Sequence, residues 1–432
     1  MLQAKDTDAH ATSRTLLRTL FDHAVEAVSP RQVMPAVLPS APHGRLVAIA
    51  VGKAAAEMMR VAQSHSKTPL PGLVVTRHGH LGEGATRWPE VEVIEAGHPF
   101  PDASSVRAAE RALEIAHGLQ AGDELLVLLS GGGSALLALP AEGVSLADKQ
   151  EVTRALLQSG ATIAEINCVR KHLSRIKGGR LAVAAGAAHV TTWIISDIPG
   201  DDPSFVSSGP TVADQTTLAM AREVIAEYHV AVPASVAAAL DDPGNETPEA
   251  DSLGLAGGET AIIGRARTAL GAAREFALAH GYAVTDLGDQ LQAEARHLGA
   301  SHAALARRLA GDGQRRLILS GGEATVTVTN QAGRGGRNLE YLLGLAIALG
   351  GAAGISAIAC DTDGIDGTEA VAGAIVTPDT LARAAVLGLD PAAHLARNDA
   401  YPFFEALGDL VVTGPTLTNV NDFRAILYEG GV

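Results

Sequence analysis

The sequence predicts an α/β protein of two domains, each a sheet covered by helices, and three observations predict it. Short aliphatic runs recur along the chain: LVAIAV (46–51), GLVVT (72–76), ELLVLL (124–129), HVTTWII (189–195), RLILS (316–320), ISAIAC (355–360) and DLVVT (409–413). They lack the polar alternation of a half-exposed strand, as strands buried on both faces do. A Gly- or Asp-bearing turn and then an Ala/Leu-rich stretch with helical spacing follow them, the alternation of helix-covered parallel sheet. Finally, 432 residues exceed one core at roughly 100–200 residues per domain. The polar segment 238–258 (AALDDPGNETPEADSLGLAGG) reads as the boundary between domains at 1–245 and 255–432.

Composition narrows the function. Hydrophobic residues make up 47% and aromatic residues only 3%, so the apolar mass is aliphatic and a packed protein is expected. Forty-eight acidic against 33 basic residues leave a net charge of −15. Non-specific nucleic-acid binding rests on Lys and Arg neutralising phosphates, so a nucleic-acid partner is not expected. An anionic small substrate would need a local basic pocket. Cys168 and Cys360 form no CxxC and no zinc set, which favours a reducing, cytoplasmic setting. The start MLQAKDTDAHATSR is too polar for a signal peptide. The uncharged stretch 341–360 is long enough for a membrane span. Gly350, Gly351 and Gly354 cut it, however, so a buried helix, turn and strand are expected there.

Ligands of open α/β sheets bind at the carboxyl ends of strands, and the informative motifs fall there. Ser130-Gly131-Gly132-Gly133-Ser134 follows ELLVLL and reads as a phosphate cradle at a helix start. Gly52-Lys53 follows LVAIAV, and a lysine in a first helical turn would oppose the helix dipole, which suggests a job for it. It is no Walker A loop, since Val47 stands where that motif has Gly. NCVRKHLSRIKGGR (167–180) is a dense basic cluster with Asn167, Lys171 and Ser174 on one helical face. Gly333-Arg334-Gly335-Gly336-Arg337-Asn338 places a basic residue at another helix start, suited to clamping a phosphate or carboxylate. Asp197, Glu323, Asp361 and Asp363 follow strands and could hold Mg²⁺ or orient a substrate hydroxyl. No GxGxxG, HExxH or GxSxG occurs.

Together the segments resemble the class II glycerate kinases, the glycerate 2-kinase or MOFRL family. The resemblance runs from about Leu16 to Leu427 and rests on GHPFPDASS (97–105), LLSGGGSALL (128–137), NCVRKHLSRIKGGRLA (167–182), ISDIPGDDPSFVSSGPTVAD (195–214), LSGGEATVTV (319–328), GRGGRNLE (333–340), DTDGIDG (361–367) and TGPTLTNVND (413–422). It implies a largely parallel Rossmann-like N-terminal sheet, a smaller mixed C-terminal sheet and an active site in the cleft between the domains. It also implies transfer of a phosphoryl group from ATP, with Mg²⁺, to the 2-hydroxyl of D-glycerate. The family's active-site lysine falls on Lys53 and its arginine on Arg337, with Asp197 as third catalytic candidate. Ser130 to Ser134, Lys171, Glu323 and Asn338 are the expected nucleotide-binding residues, and Asp361 and Asp363 the expected metal ligands. A homodimer is compatible with the family. Two departures stand out: Leu339 where a Gln is usual, and Leu417 where a Gly is usual. The alternative reading is an NAD(P)H-dependent hydroxypyruvate reductase.

Overall fold

Six aliphatic strands line up in parallel to form the first sheet. The structure, a computed structural model, describes residues 2–41, 43–82 and 88–430. The strands are β1 (Leu46–Val51), β2 (Gly72–Arg77), β3 (Val91–Ala96), β4 (Glu124–Leu129), β5 (His189–Ile195) and β6 (Glu259–Gly264), in the order β3-β2-β1-β4-β5-β6. β1 and β4 run side by side, with Leu46 opposite Glu124 and Val51 opposite Leu129. β4 is buried along its whole length and β1 along all but its first residue, which is why both read as unbroken apolar runs. The helices Ala55–His65 and Ala103–His117 supply part of the cover, the second opened by a capping box between Asp102 and Ser105. From β1 the chain steps outward to β2 and β3, then returns to place β4 on β1's other side. The carboxyl ends of β1 and β4 are therefore the topological switch point, where open α/β sheets bind ligands.

The second sheet is mixed. It contains β7 (Ala283–Asp286), β8 (Arg316–Ser320), β9 (Ile355–Asp361), β10 (Gly373–Val376), β11 (Leu410–Val411) and β12 (Asp422–Tyr428), ordered β11-β10-β9-β12-β8-β7. Only β7 and β8 pair in parallel. The helix Arg337–Leu349 is buried on nearly every side and packs against the helix Ala295–Leu309. The expected helix, turn and strand over 341–360 are thus present. Among the described residues no helix is long and apolar enough to cross a membrane.

Two boundaries differ from the sequence-based expectation. The chain divides into one unit of residues 33–264 and another of residues 1–32 with 265–432. β6 still belongs to the first sheet, so the division falls after Gly264 rather than within 238–258. β6 lies at the sheet edge with its first three residues exposed, which removed the apolar signature that would have marked it. The N-terminal helix (Leu2–Ala27) joins the second unit: Leu17, Leu20, Phe21 and Ala24 are buried, and the Phe21 and Phe423 rings lie 5.8 Å apart. The Arg14 guanidinium reaches Asp409 at 2.6 Å.

Candidate active site

At the switch point the turns after β1 and β4 interlock through the main-chain amides of the first. The Lys53 amide donates to the Gly131 carbonyl at 2.9 Å, and the Ala54 amide donates to Ser130 Oγ at 3.0 Å. Gly52 has φ +123° and is packed so closely on Ser130 that any side chain would collide with it. Gly132, at φ +88°, leaves room for the neighbouring side chains. A Cβ there would stand 3.1 Å from the His98 ring and 3.5 Å from Lys53 Cγ. Lys53 therefore passes directly alongside the glycine turn, and the structure brings these two predicted motifs together.

Two local expectations change. The helix after β1 begins at Ala55 with Ala54 as its N-cap, so Lys53 precedes the first turn instead of lying in it. The glycine turn opens only a four-residue helix, Gly133–Leu136, too short to contribute the dipole expected of it. An anion held by this turn would be met by the turn's own backbone and by nearby cations, not by a helix dipole.

Ser207 and Ser208, absent from the predicted site, close the turn from the far side. Both have positive φ, 53° and 60°, a conformation that serine rarely adopts. Ser207 Oγ donates to the Ser130 carbonyl at 3.4 Å, Ser134 Oγ lies 2.8 Å from Ser208 Oγ, and Ser208 Oγ donates to Asn167 Oδ1 at 3.3 Å. Strained residues held by several bonds cluster at functional sites. The adjacent Ser-Ser-Gly in FVSSGP was the signal that could have found them. Asp197 follows β5, the strand beside β4, and is partly exposed at the same edge of the sheet.

The basic cluster splits by partner. Lys171, expected among the nucleotide contacts, forms an ion pair with Asp214 at 2.9 Å, the two side chains only 4% and 1% exposed. The helix carrying it ends at His172, so Ser174 lies beyond the face expected to include it. Lys177 is buried against the glycine turn and donates to the Ser134 carbonyl at 2.8 Å. Burial, with the Arg170 charge adding to it, pushes Lys177 down to about 7.

The second unit carries its own constellation. Arg337 begins the helix Arg337–Leu349, as expected, and its guanidinium meets Asp422 at 2.7 Å, Asp361 at 2.8 Å and Glu323 at 2.7 Å. Burial works against this charge, but the three carboxylates hold its pKa well above the ordinary value. Asn338 is fully buried and donates its side-chain amide to Asp422 at 2.8 Å and to Asp366 at 3.3 Å. It orders the carboxylates, whereas the sequence placed it against the nucleotide. Asp366 also accepts from the amides of Asn338 and Leu339 at the helix start. Burial nonetheless pushes its carboxyl up to about 6. Asp363 donates its amide to Asp361 Oδ1 at 3.1 Å and accepts from the Ile365 amide at 2.8 Å. Asp422, central to the network, closes the TGPTLTNVND segment but was not among the expected site residues. Among the described residues no three His, Cys, Asp or Glu side chains gather as a metal-holding group.

Comparison with known proteins gives consistent relatives. Residues 16–241 match the family model described as a domain of unknown function (DUF4147), and residues 316–422 match that of the MOFRL family. A D-glycerate 2-kinase of Thermotoga maritima is 38% identical over 404 residues, covering 92% of this chain and 94% of that protein. A protein of Agrobacterium vitis, named provisionally as a hydroxypyruvate reductase, is 50% identical over 422 residues, 96% of this chain and 94% of that one. The crystal structure of a glycerate kinase from Thermotoga maritima superimposes with a TM-score of 0.85 at 37% identity, over 97% of this chain and 100% of that chain.

Proposed function

This chain belongs to the glycerate 2-kinase family that carries the DUF4147 and MOFRL regions, and from that membership we propose that it transfers the γ-phosphoryl group of ATP to the 2-hydroxyl of D-glycerate. The products are 2-phosphoglycerate, ADP and a proton. The observation that carries the reading is the 38% identity to a D-glycerate 2-kinase across 92% of the chain. The geometry supports it through a glycine turn and a lysine at the sheet's switch point.

Phosphoryl transfer asks a protein mainly for positioning and charge neutralisation. In this reading the turn Ser130 to Ser134 lies along the phosphates, and Lys53 beside it neutralises charge on the transferring group. Arg337 is a cation fixed by Asp422 and Asp361. Its third partner, Glu323, is 45% exposed and is the carboxylate most readily exchanged for that of glycerate. In the same reading Asp197 orients the attacking hydroxyl and accepts its proton. Mg²⁺ suits the donor chemistry of Asp361 and Asp363, since that ion needs only one or two carboxylates beside phosphate oxygens. Bound there, it would neutralise phosphate charge. A cytoplasmic enzyme, in keeping with the two buried free cysteines, and a homodimer complete the reading.

The test is ADP release from purified protein with ATP and D-glycerate, followed by phosphorus NMR of the product. 2-Phosphoglycerate is expected. 3-Phosphoglycerate would overturn the position of transfer. NADH oxidation with hydroxypyruvate but no ADP release would replace the kinase by a reductase.

A further inference from the structure

Beside the glycine turn, within residues 33–264, lies a cavity of about 310 Å³ whose lining mixes apolar and cationic side chains. Its apolar part includes Phe100 and Leu157, which are 64% and 55% exposed and so leave apolar surface unspent. Its cationic part includes Lys149, Arg170 and Lys177, and Gly132 and Ser134 of the glycine turn also line it. Among the described residues none of these three cations pairs with a carboxylate. Lys149 donates to the carbonyls of Arg170 and Leu173 at 3.3 and 2.5 Å, and Lys177 to that of Ser134 at 2.8 Å. Desolvated cations without counter-ions are costly, and this chain has a surplus of carboxylates that could have paired them. Burial, with like charges nearby, depresses both lysines accordingly. An anion entering the cavity would relieve all of these costs at once.

The apolar residues of the lining rule out a bare anion as the best fit. The volume sits at the small end of ligand pockets, roughly 300–1,000 Å³, enough for a heteroaromatic ring and a sugar but not for a chain of phosphates as well. Gly132 and Ser134, which the kinase reading assigns to phosphate, belong to the same lining.

We propose that this cavity is the nucleoside subsite of the phosphoryl donor: a nucleoside triphosphate lays its base and ribose against Phe100 and Leu157, and its phosphates run past Arg170 and Lys177 to the glycine turn. The proposal rests on the kinase reading for the identity of the ligand, but its test does not depend on turnover. In the full chain, Phe100→Ala and Arg170→Gln should each weaken ATP binding by about tenfold in calorimetry without glycerate, the size of one lost charge-assisted or stacking contact. Both should raise KM for ATP while leaving KM for glycerate within about twofold, and Arg170→Lys should recover part of the loss. Phe100 is exposed, so its variant keeps the unfolding midpoint and separates binding from folding. ATP affinity unchanged in both variants overturns the assignment, as does a rise in glycerate KM alone. Inorganic tripolyphosphate binding as tightly as ATP would remove the nucleoside from it. If the wild type binds ATP but releases no ADP, and the variants weaken that binding, the kinase reading fails while the subsite stands. If both variants release ADP normally with wild-type KM for ATP, the subsite fails while the kinase reading stands.

Discussion

The Lys53 amide donates a 2.9 Å hydrogen bond to the Gly131 carbonyl, so the main chain that launches the lysine is anchored to the glycine turn of the adjacent strand. That bond does not involve the side chain at position 53 and is kept by an alanine there. Lys53→Ala should therefore fold normally, with an unchanged urea midpoint, yet lose at least about 100-fold in kcat, the loss typical of one transition-state electrostatic contact. Steady-state kinetics on the purified variant decide it, and near-normal turnover would remove Lys53 from the chemistry.

Asp422 faces two arginines at once, Arg337 and the almost fully buried Arg424. Burial raises its pKa, but those two cations outweigh burial and hold the carboxyl below the ordinary range. Asp422→Ala would leave both cations short of a partner in the sheet interior. Breaking a buried pair from one side costs about 3–5 kcal/mol, and urea denaturation should show a loss of that size. Asp422→Asn, which keeps one acceptor oxygen, should lose less. Equal and small losses in both variants would mean that Asp361 and Glu323 suffice for Arg337.

Asp366 and His302 tilt the pH dependence of stability in opposite directions. The Asp366 carboxyl is raised to about 6 from 3.8, so its contribution is full below pH 3.8 and is lost as pH rises through 6. The His302 imidazole, buried and 2.8 Å from the Tyr341 hydroxyl, is lowered to about 4 from 6.5. Its contribution is full above pH 6.5 and is lost as pH falls through 4. Between pH 4 and 6 the two slopes oppose each other. Asp366→Asn should thus make stability climb more steeply with pH across that window, and His302→Gln should flatten or reverse the climb. Parallel wild-type and variant curves from urea midpoints, taken from about pH 4 to about pH 7, would refute both assignments.

If Asp361 and Asp363 hold Mg²⁺, EDTA should abolish turnover, and Mg²⁺ or Mn²⁺ should restore it. Asp361→Asn also loosens Arg337, whereas the Asp363 carboxylate accepts from the Ile365 amide, so Asp363→Asn is the cleaner variant. It should raise the Mg²⁺ concentration for half-maximal rate severalfold. An unchanged metal requirement would make the pair purely structural.

The sequence announced β1, β4, β5, β8 and β9 because burial on both faces left few polar residues inside them. It hid β12 for the opposite reason. DFRAILY runs through the middle of the second sheet, yet its Asp422 and Arg424 are buried against each other and read as solvent-facing charges. The edge strands β3 and β6 were hidden by exposed acidic or polar positions. Lys53 and the glycine turn were legible because strand ends followed by Gly admit few structural explanations. Which members of the 167–180 cluster would face the cavity was not legible, because Asp214, the partner that engages Lys171, comes from a distant loop.

Leu417 has φ +60°, where the other non-glycine residues of this segment and its surroundings with positive φ are Asn398 and Asn421, a residue type that tolerates the region. Its neighbour Thr416 ties the turn to the acidic loop, donating its amide to the Asp363 carbonyl at 3.1 Å and its hydroxyl to the Thr362 carbonyl at 2.5 Å. A leucine in this conformation costs roughly 1–2 kcal/mol, against about 0.5–1 kcal/mol of extra unfolded-state entropy for glycine. Leu417→Gly should therefore stabilise the protein by about 0.5–1 kcal/mol in urea denaturation. Leu417→Ala, which keeps the Cβ and its strain, should give no gain. A loss of stability in the glycine variant would show that the half-buried leucine side chain contributes more by packing than its backbone costs.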